Sequence, residues 1–178
     1  MGSRRRDALA DAGSGHAAVA SFQRAASSTA RHQEDADAAL ATMTENPYVL
    51  LIPAGTGGTG RAAVREFYAN HFLPNIPPDF ELISLSQTFG NDRIVEEFVI
   101  SFTHSLDMDW MLPGMPATGR RVEFAFVGLI QFQDGKVAHE HLYWDQATLL
   151  SQMGVLDHPL AAAGVGSAGP LWRGQCPR

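Results

Sequence analysis

The sequence predicts an α+β fold in which helices pack on one face of a curved antiparallel sheet. Three observations lead there. Apolar residues recur at three- and four-residue steps over residues 17–43 and again over 61–72, the spacing of helices. From residue 79 to 145 the pattern changes to long runs rich in β-branched and aromatic residues. An Asp134-Gly135 pair joins the last two runs, and such a pair is the strongest short hairpin signal.

Size and charge narrow the class. A chain of 178 residues that is 45% hydrophobic and 18% charged is one ordinary globular domain. A net charge of -6 argues against nucleic acid as a partner, because phosphate binding needs a basic stripe. The one basic cluster, Arg4-Arg5-Arg6, is followed at once by Asp7 and Asp11. Those early acids also count against a transit peptide, so the cytoplasm is the expected compartment. Cys176 is the single cysteine and excludes an internal disulfide. No apolar run reaches the roughly 18–20 residues that span a bilayer, so no membrane association is expected. Residues 1–16 read as a frayed leader, 17–157 as the domain, and 158–178, rich in Ala, Gly and Pro, as a loosely held tail.

Taken in order, residues 17–43 read as helix, with Ser27-Ser28-Thr29 as a candidate break. Glu45-Asn46-Pro47 should end it, since the residue before proline is pushed out of the α region. Residues 48–52 form a short strand. The glycine-rich stretch 53–60 lacks the Lys-Ser/Thr pair of a phosphate loop and does not fit the dinucleotide fingerprint. It reads as a flexible connection in which Thr59 caps the next helix.

Helix 61–72 buries Val64, Phe67, Tyr68 and Phe72, and Pro74, Pro77 and Pro78 terminate it. Strands follow over 79–89 and 93–104; on the second, Ile94, Phe98, Ile100 and Phe102 share a face with Glu96 and His104. The connection 105–119 carries Met108, Trp110, Met111, Leu112 and Met115, too apolar a set to leave in water. It should cap a pocket or bury itself against another subunit. Strand 120–133 leads into the hairpin, and Asp145 should cap a last helix that ends at Gly154.

The chemistry concentrates in residues 135–145. His139, Glu140, His141, Tyr143 and Asp145 can each hold or pass a proton, a density a purely structural strand seldom carries. If a two-residue turn pairs Gln133 with Lys136, one face holds Phe124, Phe126, Gly128, Ile130 and Phe132 with Val137, His139, His141, Tyr143 and Asp145. Gly128 then lies across from His141 and leaves room for a bound molecule. Glu140, Leu142 and Trp144 occupy the opposite face. Alternation leaves open which face lines the cavity, because one bulge exchanges the two sets. The first has more proton-transfer groups; the second places a carboxylate beside Trp144, where desolvation raises its pKa and suits it to acid–base work. His139 and His141 also form a possible metal pair with His104 as third ligand, but the preferred reading has no metal and no cofactor.

Several of these segments together resemble a known family. Phe102-Thr103-His104, the Leu112-Pro113-Gly114 turn, the run Pro116 to Val122, and Asp134-Gly135-Lys136 leading to Trp144-Asp145 are similar to the SnoaL-like polyketide cyclases of the nuclear transport factor 2-like superfamily. The resemblance covers roughly residues 30–156. It implies a cone-shaped α+β barrel, usually a homodimer joined through the outer sheet face, and cofactor-free proton-transfer chemistry in a dry cavity. His104 matches the histidine of the Thr-His pair, and Asp145 is retained. The position three before it, acidic in many relatives, is Leu142, and the family's Glu-His order reads His139-Glu140. The expected function is cyclisation, isomerisation or dehydration of a hydrophobic carbonyl-bearing small molecule. Glu140 or Asp145 would take a proton, His104 with His139 or His141 would donate to the oxyanion, and Trp110, Met111, Tyr143 and Trp144 would contact substrate. The alternatives are a non-catalytic binding or dimerisation module and a metal enzyme built on His139 and His141.

Overall fold

The protein is described here from a computed structural model that covers residues 32–156. The leader, the helical reading of residues 17–31 and the tail lie outside the described residues.

Helix α1 (His32–Ala41) buries Ala36 and Leu40, and the chain turns into strand β1 (Met43–Leu51) sooner than helical spacing implied. Glu45-Asn46-Pro47 therefore does not end a helix; it interrupts a strand. β1 runs parallel to β6 (Lys136–Trp144), and between the pairs Met43–Val137 and Tyr48–His139 four residues of β1 pass a single residue of β6. Proline, having no N–H to give the ladder, is tolerated at such a bulge, and the Pro47 carbonyl instead accepts from Gly60 N.

The glycine-rich stretch is not a flexible connection. Residues Thr56–Thr59 form β2, antiparallel to β1. A side chain on Gly57, whose φ is +130°, would have its Cβ 2.0 Å from the Val49 carbonyl oxygen, so only glycine allows this approach. Gly60 rather than Thr59 occupies the N-cap of α2 (Arg61–Glu66), with no side-chain cap bond. That helix continues as a π-helical turn over Phe67–Phe72 and a 3-10 turn over Leu73–Asn75. Pro74 falls within the last of these.

Four long strands complete the sheet together with α3 (Gln146–Met153): β3 (Glu81–Phe89), β4 (Arg93–Thr103), β5 (Arg121–Gln133) and β6. The spatial order is β2-β1-β6-β5-β4-β3. The β1–β6 pair makes the sheet mixed rather than wholly antiparallel, while the α+β class stands. Asp145 caps α3 by accepting from Ala147 N and Thr148 N, and Gly154 closes it in the left-handed conformation.

The inner sheet face meets the helices. It carries Phe124, Phe126, Ile130 and Phe132 from β5 with Phe98, Ile100 and Phe102 from β4. The connection 105–119 folds into this same core: Met108, Trp110, Met111 and Leu112 are all buried, so this apolar set is satisfied within the chain and not by another subunit. No helix among the described residues is long and apolar enough to cross a membrane.

Candidate active site

The β5–β6 hairpin starts in the expected register, with Gln133 opposite Lys136 and Phe132 opposite Val137. It then shifts by one residue. Gln131 pairs with His139, leaving Ala138 as the extra residue of a bulge. From there every side chain of β6 is exchanged between faces. Gly128 lies across from Leu142 instead of His141, and Glu140, Leu142 and Trp144 join the inner face opposite Ile130, Gly128 and Phe126.

His139, His141 and Tyr143 accordingly stand on the outer face. They form a ledge of rings with Tyr48 of β1: Tyr48 stacks on His139 at 4.5 Å, His139 meets His141 at 4.9 Å, and His141 meets Tyr143 at 6.4 Å. Burial, His141 and Arg93 lower the His139 pKa, in that order, so this ring is neutral at physiological pH. An open depression of about 600 Å³ borders the ledge where the β1–β6 ladder is interrupted, lined by Thr44, Glu45, Asn46, Lys136 and His139 among others. It is on the opposite side of the sheet from the Glu140 carboxyl. Among the described residues no group of three or more His, Cys, Asp or Glu is placed to hold a metal ion.

Glu140 faces inward and accepts a hydrogen bond from the Tyr68 hydroxyl at 3.0 Å. Burial pushes its pKa up to about 7, against the lowering effect of that bond. The Tyr68 hydroxyl is pushed well above its ordinary value, first by burial, then by the Glu140 charge and the bond itself, so it remains a donor. Tyr68 owes its position to the π-helical turn, in which Leu73 N bonds to the Tyr68 carbonyl. Such turns are frequent at functional sites because they re-aim one side chain. Phe72 packs edge-on against Tyr68 at 5.8 Å, and Trp110 packs edge-on against Phe72 at 4.8 Å. Trp110 also donates from Nε1 to the Asn75 carbonyl. It thus supports Tyr68 from behind, and Met111 is core.

The remaining candidates lie elsewhere. Trp144 is on the inner face two inward positions from Glu140, stacked on Phe126 at 5.6 Å, with Nε1 donating to Gln146. Asp145 is exposed and its carboxylate is taken up by the cap, where Thr148 lowers its pKa. His104 is fully buried; its Nδ1 accepts from Thr118 N at 3.3 Å and its Nε2 has no partner. Burial lowers its pKa. Glu140 pairs through Ile130 with Ile94, and His104 is ten residues further along that strand's line, about 30 Å away at ~3.3 Å per residue. His104 and Glu140 therefore sit at opposite ends of the sheet and do not share one reacting centre.

Sequence reasoning missed Tyr68 and Glu96 as site residues. Tyr68 was visible only as a core position of an amphipathic helix. Glu96, read correctly as sharing the apolar face of β4, is the stronger omission: a carboxylate on that face had no evident partner.

A mixed, helix-covered sheet with proton-transfer groups on its inner face defines a protein of the nuclear transport factor 2-like, ketosteroid isomerase-like class. The SnoaL-like domain family matches residues 22–140, and the chain belongs to that family. Solved structures agree on the fold. A protein of Jannaschia sp. CCS1 provisionally assigned as a SnoaL-like polyketide cyclase is 18% identical, with a TM-score of 0.58 over 78% of this chain and 92% of that one. One from Xanthomonas campestris pv. campestris, provisionally assigned as a polyketide cyclase, is 20% identical, with a TM-score of 0.58 over 83% and 98%. A protein of Catenulispora acidiphila DSM 44928 with a ketosteroid isomerase-like fold, solved with trimethylamine, is 14% identical, with a TM-score of 0.55 over 77% and 92%. No curated protein matches the chain.

Proposed function

We propose that this protein is a cofactor-independent acid–base enzyme that moves a proton next to the carbonyl of a hydrophobic small molecule. The observation that carries the reading is the Glu140–Tyr68 pair. A carboxyl held near pH 7 is matched to proton abstraction at neutral pH, since a general base works best when its pKa lies near the operating pH. A phenol kept protonated beside it can turn its O–H toward the oxygen on which negative charge develops. Phe126, Ile130 and Trp144 supply apolar walls on the same face. Cyclisation, isomerisation and dehydration all begin with this proton transfer, and membership of the SnoaL-like family supports that group of reactions.

The reading extends to assembly. The outer face presents Ile52, Ile83 and Tyr143 exposed, beside half-buried Leu50, Val127 and Leu129, which suits a second copy of the chain. The compartment in this reading is the cytoplasm.

The test uses a simple ketone, 2-acetylnaphthalene, and follows exchange of its methyl protons in heavy water by NMR. Wild-type protein is expected to accelerate exchange, with a rate that rises with pH through about 7. Glu140→Gln should lower the catalysed rate by about 10²–10⁴, the range for loss of a general base. Exchange at the buffer rate with wild type, or at the wild-type rate with Glu140→Gln, contradicts the assignment.

A further inference from the structure

Glu96 is a buried carboxylate that the proton-transfer pair does not use. It is only 1% exposed, and it lies on the inner face between Gly128 of β5 and Gln87 of β3. One oxygen, Oε1, accepts from the Ser84 hydroxyl at 2.6 Å. The other, Oε2, is buried with no hydrogen-bond partner. A buried carboxylate oxygen without a donor is costly and rare in a folded protein.

The local backbone is shaped to create this arrangement. β3 is bulged between Ser84 and Ser86, so Ser84 pairs with Phe98 while Ser86 pairs with Glu97. The two serines, which an unbroken strand would place on one face, thus serve opposite faces. Ser84 bonds Glu96 inside, and Ser86 bonds the exposed Glu97 outside. A hydrophobic pairing at either position would suit the sheet without burying an unpaired carboxyl oxygen.

Glu96 and Glu140 occupy neighbouring rows of the inner face, two strands and one inward step apart, or about 12 Å at the backbone. Between them lies Gly128. A Cβ built there would meet the edge of the Phe98 ring at 3.3 Å and a Leu142 methyl at 3.6 Å. Both neighbours of Gly128 on this face are side-chain ends, the ring edge of Phe98 and a methyl of Leu142, and they fill the space over it.

We propose that Glu96, held by Ser84, is a specificity-determining residue that accepts a hydrogen bond from a hydroxyl of the substrate remote from its reacting carbonyl. This rests on the reading of Glu140 as the base and deepens it. The substrate is a hydroxylated ketone long enough to place its carbonyl at Tyr68 and Glu140 while its hydroxyl reaches Glu96, which requires the Phe98 ring edge and the Leu142 methyl over Gly128 to move aside. A ligand without that hydroxyl leaves the carboxylate oxygen unpaired and binds more weakly, because discrimination by a buried polar group comes from the cost of leaving it unmatched.

The experiment is equilibrium dialysis at pH 7 with two ketones, 6-hydroxy-2-acetylnaphthalene and 2-acetylnaphthalene. Wild type should bind the hydroxylated ketone at least about ten-fold more tightly, the cost of leaving one buried acceptor unpaired. Glu96→Leu should erase that preference, and Ser84→Ala, a smaller change that guards against misfolding of the first variant, should reduce it. Equal binding of the two ketones to wild type overturns the proposal, as does a preference that survives in both variants or the failure of the hydroxylated ketone to bind. Exchange of the methyl protons of 2-acetylnaphthalene by wild type judges the Glu140 assignment separately, since that ketone has no hydroxyl for Glu96.

Discussion

Replacing Glu140 by glutamine should alter the pH dependence of stability, whatever the substrate proves to be. The carboxyl titrates near 7 in the folded protein against an ordinary 4.5, because burial outweighs the Tyr68 bond. Between those values the folded protein holds a proton that the unfolded chain has released, so stability falls as pH rises. Below about 4.5 both states are protonated and the carboxyl imposes no penalty; above about 7 the penalty is complete. A gap of roughly two and a half units corresponds to about 3 kcal/mol at 1.36 kcal/mol per unit. The residual exposure of Glu140 lets solvent screen part of this, toward about 2 kcal/mol. Glutamine does not titrate and escapes the penalty. Urea unfolding of both proteins from about pH 4 to pH 8 should therefore show their stability difference moving in favour of Glu140→Gln by about 2–3 kcal/mol. A difference that stays constant across this range refutes the claim that burial holds the carboxyl near neutrality.

Three further outcomes follow from named contacts. Tyr68→Phe removes the bond that lowers the Glu140 pKa, so the midpoint of the exchange rate should move up by about one to two pH units, measured as a pH–rate profile. Asp145→Ala should cost about 1 kcal/mol at neutral pH in urea unfolding by uncapping α3. Because the folded state depresses the Asp145 pKa, its contribution should be present above the unfolded value and fade as pH falls through the folded one. Leu129→Asp, on the outer face, should convert the proposed dimer to a monomer in sedimentation while far-UV circular dichroism is unchanged.

Much of the architecture was legible because each signal had a local cause. The Asp134-Gly135 turn, the alternation along β4 and β5, and the Asp145 and Gly154 caps depend on residues a few positions apart. What escaped depends on contacts distant in sequence. Pro47 looked like a helix stop, yet the parallel partner β6 holds it in a bulged strand. The glycines at 57 and 58 looked flexible, yet close packing on β1 and α2 makes them strand.

The site shows the same division. Glu140 was singled out as a carboxylate that burial would tune, but alternation left open whether its face or the face with two histidines lines the cavity. One extra residue, Ala138, exchanges the two sets, and no composition signal at Val137-Ala138-His139 announces it. Tyr68 depends on a π-helical turn that the amphipathic pattern of residues 61–72 does not distinguish from a regular helix. His104 was placed on the correct face, and only the strand length separates it from Glu140.

The proposed chemistry turns on the ionisation of one side chain, and carbon NMR of protein labelled at the glutamate carboxyl carbon reads it directly. One carboxyl resonance should titrate with a midpoint near 7 and be missing from the spectrum of Glu140→Gln. A spectrum in which every glutamate titrates in the ordinary range around 4.5 would contradict it.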